Sequence, residues 1–236
     1  MLNKSLVVAK TNFRNLKLAY IITAIVLGCM LIQDAVFLIL HYSGVYSQWD
    51  GTSVSIGNYL FLLPILAAVF IPLLNFRKMM NLGAKRTDFF VGCLVNHLVI
   101  AAVISLASII MFLTYDTFMV SVINTGGTLD VVHWFGWIEN GAVIAFFQQF
   151  AFLFLLASVL HTLSAAQDKW YGWVADVLIV AIIAVFIPIA PLRAALVWFF
   201  NLIIFHPNAF AQIAACLGLG LAVYTLNVLL FARKAI

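Results

Sequence analysis

Six apolar stretches with few charged residues set the strongest constraint on how this chain can fold. They run from Leu18 to Leu40, Tyr59 to Asn75, Phe89 to Tyr115, Ala142 to Leu163, Trp173 to Ile187 and Phe210 to Phe231. A helix needs about 20 apolar residues to cross the roughly 30 Å hydrocarbon core of a bilayer. Because hydrocarbon offers no partners to backbone N–H and C=O groups, such stretches cross it as helices. We therefore predict an all-α polytopic membrane protein with six transmembrane helices.

The composition excludes a water-soluble fold. Hydrophobic residues fill 66% of the 236 positions and charged residues only 8%, whereas soluble domains carry about a quarter charged residues. No polar stretch is long enough to fold separately, so we expect residues 1–236 to form a single transmembrane domain. The net charge of +4 does not arise from a basic run interleaved with aromatic residues, so no nucleic-acid partner is expected.

The positions of Lys and Arg predict the orientation, because short loops rich in these residues stay in the cytoplasm. With the N-terminus inside, Arg193 is the only basic residue on the outer side. Both termini are then cytoplasmic. The tryptophans fit two aromatic belts. The outer belt consists of Trp49, Trp134, Trp137 and Trp198, and the inner belt of Trp170 and Trp173.

The segment before the first span has an amphipathic pattern. Leu2, Leu6, Ala9, Phe13 and Leu16 fall on one helical stripe, with basic residues beside it. We expect an elbow helix over residues 2–17 that lies among the lipids of the inner leaflet. A frayed basic tail is the alternative.

The connection before the last span, residues 187–208, is too apolar for an exposed loop and contains Pro188, Pro191 and Pro207. A short re-entrant helical hairpin on the outer side would satisfy its backbone groups. A seventh span is the competing reading, but Arg193 and the odd topology count against it.

No catalytic or cofactor motif is present. The sequence has no phosphate-binding loop and no zinc-protease motif, and its five histidines lack metal-ligand spacing. His161 and Ser164 come nearest to a catalytic pair, without an evident carboxylate partner. We therefore expect neither an enzyme nor a cofactor or metal site in this chain.

A few polar side chains within the spans are candidate pathway or gate residues, because burying polar groups in lipid is costly. These are Asp34 in the first span and Gln148 and Gln149 in the fourth. Asp34 could instead reach the outer interface, and the glutamines could bond across helices. His97 in the third span is either a titratable switch or a neutral side chain bonded to a helix carbonyl.

In their order along the whole chain, four features resemble the transmembrane subunit of an ABC transporter of the ABC-2 permease type. They are the amphipathic N-terminal helix, the basic loop FRKMMNLGAKRTDFF, the long outer loop between spans three and four, and the Pro-bounded connection before the last span. Residues Met80 to Phe90 are similar to a loop of bacterial permeases for bacteriocin immunity and antimicrobial-peptide export.

The resemblance implies that residues 76–88 form a coupling helix that docks on a separate ABC ATPase subunit, which would bind ATP and Mg. The implied contact residues are Arg77, Lys78, Met79, Met80, Leu82, Lys85, Arg86 and Asp88. It also implies a second permease copy or homologue, a hydrophobic or amphipathic cargo such as a peptide, and a bacterial cytoplasmic membrane. The outer hairpin with Arg193 corresponds to a gate. An ion- or proton-coupled secondary transporter is the alternative.

Reporter fusions test the predicted topology. Green fluorescent protein fused after residue 83 or at the C-terminus should fluoresce, and alkaline phosphatase fused after residue 139 should be active, because each reporter works on one side of the membrane only. A C-terminal fusion active only as alkaline phosphatase would instead indicate a seventh span within residues 187–208.

Overall fold

The computed structural model describes residues 2–44, 53–123 and 128–233, and nearly all of this part of the chain is helical. Helices α1 to α5 are Leu2–Asn15, Lys17–Tyr42, Ile56–Tyr59, Leu62–Phe70 and Phe76–Asn81. Helices α6 to α12 are Arg86–Met111, Thr117–Ile123, Val131–Trp134, Ala142–Ala166, Trp170–Phe186, Ala190–Ile203 and Ala209–Arg233. Two short strands, β1 (Ser53–Val54) and β2 (Thr128–Leu129), pair in parallel.

Five helical segments are long and apolar enough to cross a membrane. They are Lys17–Tyr42, Ile56–Asn81, Arg86–Val122, Ala142–Ala166 and Ala209–Leu230. A sixth span arises if α10 and α11, which are bent by 117° at their junction, count as one. The prediction of an all-helical, multi-span membrane protein is confirmed, with five to six candidate spans among the described residues.

Two spans continue through wider, π-helical turns. In the second span the turn covers Ile71–Asn75 and contains Pro72. Proline has no N–H and its ring crowds the preceding turn, so a widened turn accommodates it without ending the helix. The third span passes through a similar turn at Phe112–Asp116 and continues into α7. Both spans therefore end later than their apolar runs do.

Helix α9 lies at the centre of the bundle and packs against α4, α6 and α12. Its Leu153 and Phe154 are completely buried in the main core cluster. Gly220 of α12 lets that helix approach closely, because a Cβ atom there would lie 2.9 Å from the Phe154 ring. By contrast, α2 and α10 expose most of their apolar side chains, as expected for helices that face lipid.

The bundle has two chemically different ends. We call the end that holds Arg77, Lys78 and Lys85 the basic end, and the opposite end, which holds Asp116 and Asp130, the acidic end. Helices α2, α6 and α12 each run from one end to the other, so the segregation of charge along the sequence becomes a segregation in space.

The segment before the last span differs from the predicted hairpin. Residues 187–208 contain one helix, α11, with Pro191 in its first turn. Its C-terminal residue Ile203 is buried, and the next carbonyl, of Ile204, accepts a 2.9 Å hydrogen bond from Trp137 Nε1. Trp137 is therefore an interior side chain, 1% exposed, and does not belong to the predicted outer aromatic belt.

Helix α1 packs along the first turns of α6, with Ser5, Val8, Ala9 and Asn12 on its buried side. This face is rotated relative to the predicted apolar stripe, since Leu6 is 47% exposed. Ser5 and Asn12 on the buried face form hydrogen bonds to α6 in addition to the apolar packing of α1.

Helices α1 and α6 approach each other closely at Gly92. A Cβ atom at this residue would lie 2.9 Å from Val8 Cγ1 and 3.0 Å from the Ser5 carbonyl oxygen. Gly92→Ala should therefore push the helices apart and cost about 1–3 kcal/mol of stability, measured by thermal unfolding in detergent. Gly218→Ala is the matched control, because nothing lies within 4 Å of its added Cβ, and an equal loss there would contradict the packing argument.

Candidate functional site

A short helix with an exposed basic face and a buried apolar face stands at the basic end. This helix, α5, buries Phe76 and Met79 in the core, and the Phe76 ring meets Phe89 edge-on with centroids 5.3 Å apart. Arg77 and Lys78 lie on its exposed side. The core contacts of one face therefore fix the direction in which the basic face points.

A glycine turn ends α5 and leads directly into α6. Gly83 has φ of +82°, and its N–H donates to the Met80 carbonyl at 2.9 Å. The next N–H, of Ala84, donates to the Met79 carbonyl at 3.1 Å, so the last carbonyls of the helix are satisfied. Leu82 stands at the tip of this turn and is 71% exposed.

Six of the eight predicted coupling residues reach the surface. Arg77, Lys78, Leu82 and Lys85 are exposed, and Met80 and Arg86 are half-buried. Met79 faces the core. Asp88 is also buried, where it accepts a hydrogen bond of 3.3 Å from Ser5 Oγ of α1.

Three buried asparagines connect α1, the second span and α6 next to α5. Asn12 Nδ2 donates to Asn96 Oδ1, and Asn75 Nδ2 donates to Asn12 Oδ1, both at 3.2 Å. Asn96 Nδ2 donates to the Ala9 carbonyl at 3.0 Å. Since Asn75 directly precedes α5, a displacement of α5 would act on α1 and α6 through this asparagine cluster.

Gln148 and Gln149, the predicted pathway glutamines, have different environments. Gln148 Nε2 donates to Gln212 Oε1 of α12, and Gln212 Nε2 donates to the Ile203 carbonyl at 3.0 Å. Gln148 thus joins α9, α12 and the end of α11, as expected for a cross-helix hydrogen bond. Gln149 is fully buried, and its amide makes no hydrogen bond within the described residues.

The acidic end is held by hydrogen bonds to its carboxylates. Asp34 accepts from the Tyr115 hydroxyl at 2.8 Å, and Asp116 accepts from Ser55 Oγ at 2.5 Å. Asp130 Oδ1 accepts from the N–H of Val132 at 2.6 Å and so caps α8. Arg193 is exposed on α11. The structure therefore does not join Asp34, Gln148 and Arg193 in a single site.

A buried pair of histidines is the feature that the sequence pattern missed. His97 Nε2 of α6 lies 3.0 Å from His161 Nδ1 of α9, and both residues are at most 1% exposed. The ring of Tyr224 from α12 lies against both. His97 therefore bonds to a second histidine and not to a helix carbonyl. The two residues are 64 positions apart, so only the register between two helices could have revealed the pair.

The described residues contain no group of three or more His, Cys, Asp or Glu side chains that could hold a metal ion. Comparison with known proteins adds no family, since no family model, no curated protein and no solved structure matches this chain. Functional inference therefore rests on the chemistry of the sites themselves.

Truncation of the asparagine cluster tests whether it fastens α1 to the bundle. Asn12→Ala should cost about 1 kcal/mol of stability, since it removes the hydrogen bonds to Asn96 and Asn75 and a longer one to Cys93 Sγ within the membrane domain. Asn96→Ala added to Asn12→Ala should cost less than the sum of the two single changes, as measured by thermal unfolding in detergent.

Thr11→Val is the control for this cycle, because its hydroxyl bonds only within α1, to the Val7 carbonyl at 2.8 Å. This change should leave the stability within about 0.5 kcal/mol of wild type. Strict additivity of Asn12→Ala and Asn96→Ala would show that the cluster does not couple the two helices.

Proposed function

We propose that this protein is the permease subunit of an exporter of the ABC-2 type, which is driven by ATP hydrolysis in a separate ATPase subunit. The observation that carries the proposal is α5 with its glycine turn at the basic end. This segment combines an exposed surface for a partner with direct connections to α1 and α6.

The surface of the segment suits a protein partner. Leu82 provides an apolar knob, and Arg77, Lys78 and Lys85 are exposed around it. An apolar contact surrounded by cations fits a groove with an apolar floor and acidic walls. Met79 and Asp88 are buried, so the docking surface that we propose leaves them out.

The inner face of the segment suits a lever. Phe76 packs against Phe89 of α6, Asn75 bonds to Asn12 of α1, and Lys78 Nζ donates to Asn15 Oδ1 at 3.4 Å. Packed cores transmit displacements instead of absorbing them. A push on α5 would therefore reach α1 and α6 together.

The remaining parts of the proposal follow from the resemblance to this class of permease. ATP and Mg²⁺ are bound by the partner ATPase, and a second copy or a homologue of this chain completes the pathway. The cargo is a hydrophobic or amphipathic molecule, with a peptide as the first candidate. The protein lies in a bacterial cytoplasmic membrane with both termini in the cytoplasm, which places the basic end beside the ATPase.

Charge reversal at the docking surface tests the proposal. Arg77→Glu combined with Lys85→Glu should weaken co-purification with the cognate ATPase at least tenfold, about 1.4 kcal/mol of binding free energy. It should also abolish stimulation of ATP hydrolysis by the permease in liposomes. The reason is that the variant replaces two attractive contacts with two repulsive ones.

Lys4→Glu combined with Lys10→Glu is the matched control, because it makes the same charge change on exposed positions of α1. This variant should retain ATPase binding. Equal loss in both variants would point to general attraction to anionic lipid, and normal coupling in the docking-surface variant would refute the proposal.

The buried histidine pair favours a second candidate, a proton-coupled secondary transporter. Titratable side chains within a membrane bundle are typical of proton pathways. Flux driven by a pH gradient in liposomes without ATP would establish this candidate in place of the permease.

A further inference from the structure

The histidine pair lies deep in the helix bundle. His97 is 11 residues beyond the start of α6 at Arg86, which places it about 16 Å along the helix axis. His161 lies five residues before the end of α9 at Ala166, about 8 Å along that helix, so the pair lies in the basic-end half of the bundle. Neither the docking surface nor the asparagine cluster uses the pair.

The contact between the rings limits how the protons are distributed. A distance of 3.0 Å between His97 Nε2 and His161 Nδ1 requires one N–H between them, because two bare nitrogens or two N–H groups would repel each other. Each neutral ring carries one N–H, so one of the two outer nitrogens, His97 Nδ1 or His161 Nε2, keeps a bare lone pair. His97 Nδ1 is buried and has no hydrogen-bond partner within the described residues.

One neighbour of the pair, the ring of Tyr224, would stabilise a positive charge on it. The Tyr224 ring centroid lies 5.5 Å from that of His161, with the two rings inclined by 35°. A cation at this distance from an aromatic face is stabilised by the ring quadrupole. The Tyr224 hydroxyl donates to the Phe90 carbonyl at 2.7 Å, which fixes the ring beside the histidines.

The other ionisable groups near the pair are few. Cys93 lies one turn before His97 on α6, and Tyr224 is the titratable group that α12 contributes. Helix α1 contributes the neutral side chain of Asn12, bonded to Asn96, and the buried face of α4 is Pro64, Ala67 and Ala68. The nearest carboxylate on α6, Asp88, is about 14 Å away along the helix axis. This carboxylate is therefore too far from His97 to bond to it.

We infer that His97 and His161 form a proton-binding site in which the bare outer nitrogen accepts one proton and the pair becomes an imidazole hydrogen-bonded to an imidazolium. The shared N–H···N bond is kept, and His97 Nδ1 and His161 Nε2 then both carry an N–H. The N–H at His97 Nδ1 has no acceptor within the described residues, so proton uptake favours a conformation in which α6 has shifted against α9 and α12. The proton would thus act as a ligand that biases helix packing.

Solid-state NMR of the ¹⁵N-histidine-labelled full-length chain in lipid bilayers tests the site between about pH 4 and pH 8. At the high end, the pair should show one shared N–H and one bare outer nitrogen, with a coupling across the hydrogen bond between His97 Nε2 and His161 Nδ1. On acidification the pair should gain one proton, and the signals of both residues should change together with a single midpoint. A pair that stays neutral throughout, or two histidines that titrate independently, would overturn the proposal.

Two variants test whether His97 and His161 bind the proton as a pair. His161→Gln should move the titration midpoint of His97 by more than about one pH unit, since the shared hydrogen bond is lost, while His133→Gln, at an exposed position on α8, should leave it unchanged. An unchanged midpoint in His161→Gln would also overturn the inference. If His161→Gln does not fold, the presence or absence of the coupling across the hydrogen bond in the wild-type chain still tests the proposal. The experiment needs no ATPase, so its outcome is independent of the permease proposal.

Discussion

Hydrogen bonds between side chains on different helices determine how the helices of this molecule pack. The interior of a bilayer offers polar side chains no water to bond to, so they bond to one another. Asn12 with Asn96, Gln148 with Gln212 and His97 with His161 each join two helices at buried positions. Apolar side chains gain little by exchanging lipid for protein, so packing alone specifies helix order weakly in a membrane. Polar pairs specify it better, since each pair is satisfied in one register only.

Helix α9 takes part in two of these hydrogen-bonded pairs. Its acidic-end half bonds to α12 through Gln148, and its basic-end half bonds to α6 through His161. Between them lie the buried side chains of Leu153 and Phe154, and Phe154 is in close contact with Gly220. A relative movement of α6 and α12 must therefore break or exchange a polar contact on α9, which makes the bundle more suited to discrete states than to gradual deformation.

The apolar runs predicted the helices well and the contacts between them poorly. The first span was expected from Leu18 to Leu40 and is found at Lys17–Tyr42, since the length of an apolar run follows from the bilayer itself. The third span was expected to end at Tyr115, yet the helix continues because Ser55 satisfies Asp116. The exposure of the eight predicted coupling residues was predicted only in part, since six of them reach the surface and two do not. The burial of Met79 and Asp88 depends on how α5 and α1 sit against α6, and a single sequence does not carry that information.

The length of α10 has a consequence for the membrane around it. This helix contains 17 residues before the bend, which corresponds to about 26 Å and falls short of a hydrocarbon core of roughly 30 Å. Its side chains contact little other protein in the described structure, so neighbouring helices do not compensate for the shortfall. A helix of this length that crosses the membrane by itself requires the adjoining lipid to thin by a few ångströms, at a cost of fractions of a kcal/mol per ångström. In that case acyl-chain length acts on this protein through one exposed helix.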